Sequence, residues 1–315
     1  MADTLRFEVP EDLDGDRVDR VLASLFEVSR AQARALLDRG VLIDGSPARP
    51  SDRVHAGSVL TSPSPEAAAD LQPEPVSFEV IHEDPALIVV NKPPGLVVHP
   101  GAGSGHGTLA AGLLHRYPEL RGVGAPGRWG LVHRLDRDTS GVLLVARTAK
   151  AHARLSADLA NRAIGRTYTA LVHGAFSTQT GAIEAPIGRD PSRPTRRAVV
   201  PGGKPALTRY EVVAEYPETG LTLLDVTLET GRTHQIRVHM AAIDHPLVGD
   251  RTYSTVNTPV EVPRVFLHAR RVDLQHPSTG DPVSFEADLP EDLARVLTDL
   301  EIRPDIPPLP LPSHS

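Results

Sequence analysis

The 315-residue chain contains no cysteine. That absence excludes disulfide frameworks, Cys-ligated zinc, iron–sulfur clusters and a thiolate nucleophile. Long apolar runs are missing too, and no stretch approaches the roughly 18–20 residues of a membrane span. The start, MADTLRFEVPEDLDGD, has neither a basic n-region nor an apolar h-region, so no secretory signal is expected. A cytoplasmic location fits these absences. Aromatic residues amount to only 4% of the chain, with five tyrosines, so a tyrosine inside a patterned segment stands out.

A surplus of positive charge is also lacking, since the net charge is −7. Its distribution matters more than its sum. Residues 1–16 hold six acids against Arg6, and residues 281–315 hold eight acids against two arginines. The two ends together carry −11 of the total −7, which leaves +4 for residues 17–280. Total charge speaks to solubility, whereas a local basic face is what binds phosphate. With 40% apolar and 23% charged residues the chain has an ordinary globular composition, and its length suggests two domains.

Residues 17–62 read as a small module. Val18, Val21, Leu22, Leu25 and Phe26 recur at the spacing of one helix face. A second helix is expected in SRAQARALLDRG, with Ser29 as N-cap, Gln32 completing a capping box and Gly40 as the stop. That helix carries Arg30, Arg34 and Arg39. VLIDG then reads as a strand entering a turn at Asp44-Gly45. Residues 63–75 are Pro-rich and aperiodic, as a linker would be, and 303–315 form a Pro-rich tail.

Residues 76–302 read as the large domain. Strands are expected at 86–90, 141–146, 168–174, 208–216 and 221–229, and helices at 108–116, 149–163 and 233–243. Strands come in runs rather than alternating with helices. The pattern favours an α+β domain with a mixed or antiparallel sheet.

Five segments could carry chemistry. GLVHRLDRDTSGVLLVA sets Asp136 between Arg134 and Arg137 in a turn before an apolar strand. A carboxylate flanked by guanidinium groups is suited to act as nucleophile or base, although a solvated charge run would look the same. LETGRTHQIRVHMA crowds Arg232, His234, Arg237 and His239 at the start of a helix, a setting that favours anions. His234 and His239 are five apart, unlike a same-face zinc pair, so a phosphate or carboxylate partner fits better than a metal. NKPPGLVVHPGAGSGHGT is Gly-rich without either nucleotide-binding spacing; it reads as a rigid loop with Lys92 available for phosphate. GRTYTALVHG places Tyr168 on a strand, where a core tyrosine is the plainer alternative. Residues 189–210 hold Arg189, Arg193, Arg196, Arg197, Lys204 and Arg209 against Asp190, a basic stretch suited to nucleic-acid backbone.

Taken in order, NKPPGLVVHPG, HRLDRDTSGVLLVA, RTYTALVHG, TGRTHQIRVHMA and HPLVGDRTY resemble the RluA family of RNA pseudouridine synthases. Residues 17–62 resemble the S4 RNA-binding domain that precedes the catalytic domain in its RluC and RluD branch. The resemblance implies a pseudouridine-synthase-type α+β catalytic domain on a mixed sheet, after a small S4-like α/β module. It implies Asp136 as the catalytic residue, Arg237 as its partner and Tyr168 packed against the target base. Arg134 is expected to fill the gap left by a flipped nucleotide. Arg137, Lys92, Arg232, His234, Arg30, Arg34, Arg39, Arg196 and Arg197 are expected to bind RNA.

The implied reaction turns uridine into pseudouridine, by N1–C1′ cleavage and rejoining at C5, with no metal and no cofactor. The implied partner is RNA, large-subunit ribosomal RNA first, and neither DNA nor membrane. Nothing in the sequence calls for an obligate dimer, so a monomer is expected. Two rivals stand beside this reading. One is a non-catalytic RNA-binding or ribosome-assembly factor. The other is a metal hydrolase, suggested only by fourteen histidines.

Overall fold

The computed structural model describes residues 4–26, 30–63, 71–99, 106–124, 128–193 and 196–302. The chain divides into two compact units, Met1–Leu71 and Gln72–Ser315.

In the first unit the apolar stripe from Val18 forms α1 (Val18–Leu25), and α2 (Arg30–Asp38) follows. Val18, Val21 and Leu22 from α1 meet Ala33, Leu36 and Leu37 from α2 in one core with Val41, Val54 and Leu60. The expected cap at Ser29 lies outside the described residues, as does the side chain of Gln32. Four strands pair in one sheet beside the helices: β1 (Thr4–Glu8), β2 (Leu42–Ile43), β3 (Ser46–Pro47) and β4 (Val59–Pro63), in the order β1-β4-β2-β3. Asp44 and Gly45 join β2 to β3 with φ of 49° and 82°, as a tight hairpin turn requires.

β1 belongs to a stretch that its charge sets apart as an acidic segment. It pairs antiparallel with β4 all the same, from Thr4 opposite Pro63 to Glu8 opposite Val59. The reason is the period of two: Phe7 is half-buried and Val9 buried, while Glu8 stays in solvent. A net-charge count does not register that alternation.

The second unit is built on one mixed sheet. In chain order its elements are β5 (Glu79–Glu83), β6 (Leu87–Lys92), α3 (Leu109–Arg116), β7 (Ser140–Ala146), α4 (Ala149–Ala160) and β8 (Gly165–His173). Then come β9 (Thr180–Glu184), β10 (Ile187–Arg189), β11 (Arg197–Val199), β12 (Leu207–Tyr216), β13 (Leu221–Leu228) and α5 (Gln235–Ala242). β14 (Leu267–Gln275), β15 (Pro282–Glu286) and α6 (Glu291–Ile302) complete the unit. The strand order is β5-β6-β7-β14-β8-β13-β12-β9, with β15 paired to β14. β7 and β14 run parallel, and the other pairings of this sheet are antiparallel. β10 and β11 form a separate hairpin.

The buried run of β6 and β7 explains their continuous apolar sequence, since both faces are covered. Leu87, Val89, Val142 and Leu144 pack against Ala151 and Leu155 of α4. α4 is capped by Thr148, whose hydroxyl accepts from the Ala151 N–H at 3.1 Å, and it ends at Ala160, earlier than the expected 163. Arg162 takes the left-handed conformation just beyond, with φ of 59°, which stops the helix.

Gly141 fixes the point where β7 meets β14. Its φ is +114°, and a Cβ there would lie 2.2 Å from the Ala269 carbonyl oxygen. Two backbones meet at that spot, so no larger residue fits. Next to it, Ser140 accepts from Arg264 Nη2 at 3.1 Å and donates to His268 Nδ1 at 2.9 Å, while His268 Nε2 donates to the Ala287 carbonyl. Arg264 also forms a two-point ion pair with Asp292 of α6. The turn before β7 is thereby tied to the sheet centre and to the C-terminal helix. Among the described residues no helix is long and apolar enough to cross a membrane.

Candidate active site

Asp136 sits in the turn that feeds β7, and four contacts hold that turn. The Thr139 N–H donates to the Asp136 carbonyl at 3.2 Å. Arg264 Nη1 donates to the Asp138 carbonyl at 2.9 Å, and Arg137 Nε to the Gly95 carbonyl at 3.2 Å. The fourth contact comes from Lys92, which is 0% exposed. Its Nζ donates to the carbonyls of Pro93, Leu96 and Arg137 at 2.8, 3.0 and 2.9 Å.

Lys92 therefore departs from its expected role. Its three donors are spent on backbone carbonyls, and no phosphate reaches it from solvent. It is a positioning residue that joins the 93–96 loop to the turn that carries Asp136. Burial pulls its pKa down to about 7, against the opposing pull of Asp138.

Asp136 meets Arg237 across 101 residues of sequence, with Arg237 Nη1 3.2 Å from its Oδ2. The main partner of Arg237 is another carboxylate, however. Arg237 Nε and Nη2 reach Asp250 Oδ2 and Oδ1 at 2.7 and 2.8 Å, a two-point pair. Asp250 also accepts from the N–H groups of Thr252 and Tyr253. Burial alone would raise the Asp250 pKa; the bonds and charge of Arg237 outweigh it and hold the carboxyl below the usual range. The guanidinium further lies over the Tyr253 ring, 5.0 Å from its centroid. Arg237 thus reaches Asp136 as a pre-oriented fork, with one nitrogen left for that carboxylate. The segment HPLVGDRTY contains Asp250, yet no local pattern marks it as the partner.

His234 caps α5 in the left-handed region, with φ of 58°. A non-glycine residue there costs about 1–3 kcal/mol and is held by its surroundings. Its Nδ1 shares a 2.8 Å hydrogen bond with the Tyr253 hydroxyl, and its Nε2 lies 3.9 Å from Asp136 Oδ1. The Tyr253 hydroxyl accepts in turn from the Arg197 N–H at 3.0 Å.

Gln235 and His239, on the same segment, are structural. Gln235 accepts from the Thr230 hydroxyl and the Arg232 N–H, and donates to the Leu207 carbonyl and Thr208 hydroxyl. His239 Nε2 donates to the Ala185 carbonyl, and Nδ1 accepts from the Thr208 hydroxyl. The pair locks α5 to β12 and so aims Arg237.

Tyr168 stands on β8, 6% exposed, on the wall of the same cavity as Asp136 and Arg237. Burial pushes its phenol pKa up, so the hydroxyl keeps its proton near neutrality. That cavity measures about 380 Å³, and a second of about 530 Å³ is also lined by Asp136. Arg134, Asp136, His234 and Arg237 border both. Arg134 reaches out from the rim with Nη1 3.0 Å from His99 Nε2, Arg232 donates to the Pro205 carbonyl, and Arg137 is exposed. Arg196 and Arg197 are half-buried beside the β10–β11 hairpin. In the first unit Arg34 is exposed on α2 and Arg39 is exposed just past its end, while the side chain of Arg30 is outside the described residues.

A cavity of nucleoside size, with a carboxylate, a fixed guanidinium and a protonated phenol on its walls, matches what comparison with known proteins finds. The family model described as RNA pseudouridylate synthase matches residues 86–242, and the S4 domain model matches residues 16–60. Ribosomal large subunit pseudouridine synthase D of Pseudomonas aeruginosa is 42% identical over 306 residues, covering 92% of this chain and 94% of the relative. An uncharacterized RNA pseudouridine synthase of Chloroflexus aurantiacus is 45% identical, covering 94% of this chain and 93% of its own. The solved structure of human RNA pseudouridylate synthase domain containing 4 superposes with a TM-score of 0.55 at 25% identity, over 71% of this chain and 93% of that one. The chain belongs to the RNA pseudouridylate synthase family, as an RNA pseudouridine synthase with an S4 domain at its N-terminus.

Proposed function

We propose that this enzyme isomerises specific uridines of large-subunit ribosomal RNA, with Asp136 as the group that acts at the ribose. The observation that carries the site is the Asp136–Arg237 contact, made across 101 residues on the wall of a cavity that Tyr168 also lines. The choice of RNA follows the relatives named for the ribosomal large subunit.

A paired uridine is inaccessible to such a cavity and has to be flipped out, at a cost of a few kcal/mol. Arg134, exposed at the rim, is placed to refill the stack. The uracil then lies against Tyr168. Asp136 either attacks C1′ or removes the C2′ proton, and both routes release the base from C1′. The base turns and C5 bonds to C1′, as the bond to Asp136 breaks or as Asp136 returns the C2′ proton; the C5 proton leaves and N1 gains one. Tyr168, a neutral phenol, can relay that proton but is not a phenolate base. The arginines of α2 and of the β10–β11 hairpin contribute sequence-independent, salt-dependent affinity for phosphate. A ribosomal substrate places the enzyme in the cytoplasm.

The test is a pseudouridine map of ribosomal and transfer RNA from cells lacking the protein. Discrete signals of large-subunit RNA should vanish and return with wild type but not with Asp136→Ala. Loss confined to transfer RNA would contradict the substrate, and rescue by Asp136→Ala would contradict the site.

A further inference from the structure

β8 carries a second side chain on the face of Tyr168. A strand alternates with a period of two, so Arg166 points the same way as Tyr168. Arg166 is 6% exposed and lines the cavity that holds Asp136. It forms no ion pair with any described residue. Its Nη2 donates to the Leu228 carbonyl at 3.3 Å, and its Nε is buried without any partner. A buried guanidinium with no counter-charge is costly, and native structures rarely keep one without a use.

The surroundings leave that charge uncompensated. His133, on the neighbouring turn, accepts the Leu144 N–H at Nε2 and is neutral, since burial and the Arg166 charge push its pKa to about 3. Asp136 is the carboxylate of the cavity, and its hydrogen bonds go to Arg237. Gly231 lies so close that a Cβ there would sit 2.8 Å from Arg166 Nη1. The glycine of the TGRTH segment thus makes room for the guanidinium.

The reaction creates the missing anion. When N1–C1′ breaks, the electron pair goes to N1 and spreads to O2 and O4. The ribose is balanced either by a bond from C1′ to the Asp136 carboxylate or by loss of the C2′ proton to it. Uracil carries one negative charge on both routes, until C5 bonds to C1′, either as the C1′–Asp136 bond breaks or as Asp136 returns the proton to C2′; the C5 proton then leaves and N1 is protonated. We propose that Arg166 is a catalytic residue that hydrogen-bonds the uracil anion and stabilises it as it departs. This rests on the cavity beside Asp136 being the uracil pocket. Preorganised donors aimed at charge that appears only during reaction give the largest catalytic effects.

The test compares two leaving groups. Transcripts spanning the uridine that wild type modifies are made with uridine or with 5-fluorouridine. Fluorine withdraws electrons and stabilises the departing anion without help from the protein. Single-turnover N1–C1′ cleavage is measured for wild type, Arg166→Gln, Arg166→Lys and Asp136→Asn. Arg166→Gln should cleave the uridine transcript about 10²–10³-fold more slowly than wild type. On the fluorinated transcript its penalty should be about tenfold smaller. Arg166→Lys, which keeps the charge, should fall between.

A misfolded fraction would slow both transcripts equally, so the ratio of penalties is independent of folding. Equal penalties on the two transcripts, or a wild-type rate for Arg166→Gln, would overturn the proposal. Cleavage by Asp136→Asn at the wild-type rate would instead break the reading of the site, and is seen in that variant alone.

Discussion

The basic residues of the two units make opposite uses of the same chemistry. In the catalytic unit Arg237 is 11% exposed and held between two carboxylates, and Lys92 is fully buried on three carbonyls. In the N-terminal unit the Arg34 side chain is 62% exposed and lies 3.9 Å from Asp19. A charge that is buried and saturated shapes a site; a charge in solvent can shed counterions onto phosphate. Residue type alone does not separate the two, and Lys92 is the case in point. Four tests should sharpen the contrast.

Of these four, the largest effect is expected at Arg237. Arg237→Met removes the partner of Asp136 and should slow isomerisation about 10²–10³-fold. It also strands Asp250 as a buried charge, which should cost about 3–5 kcal/mol in denaturant unfolding. The double variant Arg237→Met/Asp250→Asn should recover much of the stability and none of the turnover. Recovery of both would mean that Arg237 acts only as scaffold.

Lys92→Met should come next. It leaves three carbonyls without their donor and frees the Asp136 turn, at a cost of about 3 kcal/mol. Turnover should fall while RNA affinity, read by filter binding, stays near wild type. Weakened binding with unchanged stability would restore Lys92 to phosphate contact.

Acid exposes the same architecture. Asp84 is held at about 2: burial would raise it, but the N–H groups of Ala86 and Leu87 and the rings of His82 and His276 outweigh that. A depressed carboxylate stabilises the fold above its unfolded value and loses that stabilisation as pH falls through the folded one. Asp84 should therefore contribute about 2 kcal/mol at neutral pH, lost between about pH 4 and 2. Asp250, also depressed, titrates in the same direction. Asp84→Asn should flatten this part of the stability profile, and an unchanged profile would contradict the assignment.

The smallest effects belong to α2 and its end. Arg34→Ala and Arg39→Ala should each weaken RNA binding a few-fold and lower the slope of log affinity against log salt by about 0.7–0.9 per lost phosphate contact. Neither should shift the melting temperature of the catalytic unit. An unaltered salt slope in both would remove the N-terminal arginines from the RNA interface.

Much of the catalytic unit was legible because its strands are apolar or alternate plainly. β6, β7, β8, β12 and β13 fall within a few residues of where the pattern places them. β14 was not legible, although it lies at the sheet centre between β7 and β8. Its sequence, LHARRVDLQ, is rich in charge, and the charges are absorbed by Asp225, Asp273 and Glu286. α6 was hidden in the same way, since the acids that mark 281–315 as a negative end include the Asp292 that clamps Arg264. Asp136, Arg237 and Tyr168 were legible as types in a familiar order. Asp250 and Arg166 were not, because burial and partner are properties of the folded cavity and leave no local pattern. For Arg166 the one available signal was its place two residues before Tyr168.

The chemistry proposed for this cavity stands or falls on Asp136. Asp136→Asn keeps the size of the side chain and its contact with Arg237 but cannot serve as carboxylate nucleophile or base. Single-turnover conversion of uridine in a large-subunit ribosomal RNA transcript, measured beside RNA binding, tests this directly. Conversion should fall about 10⁴-fold or more while binding stays within about twofold of wild type. Conversion at the wild-type rate, with binding intact, would contradict the central claim and move the chemistry to another residue.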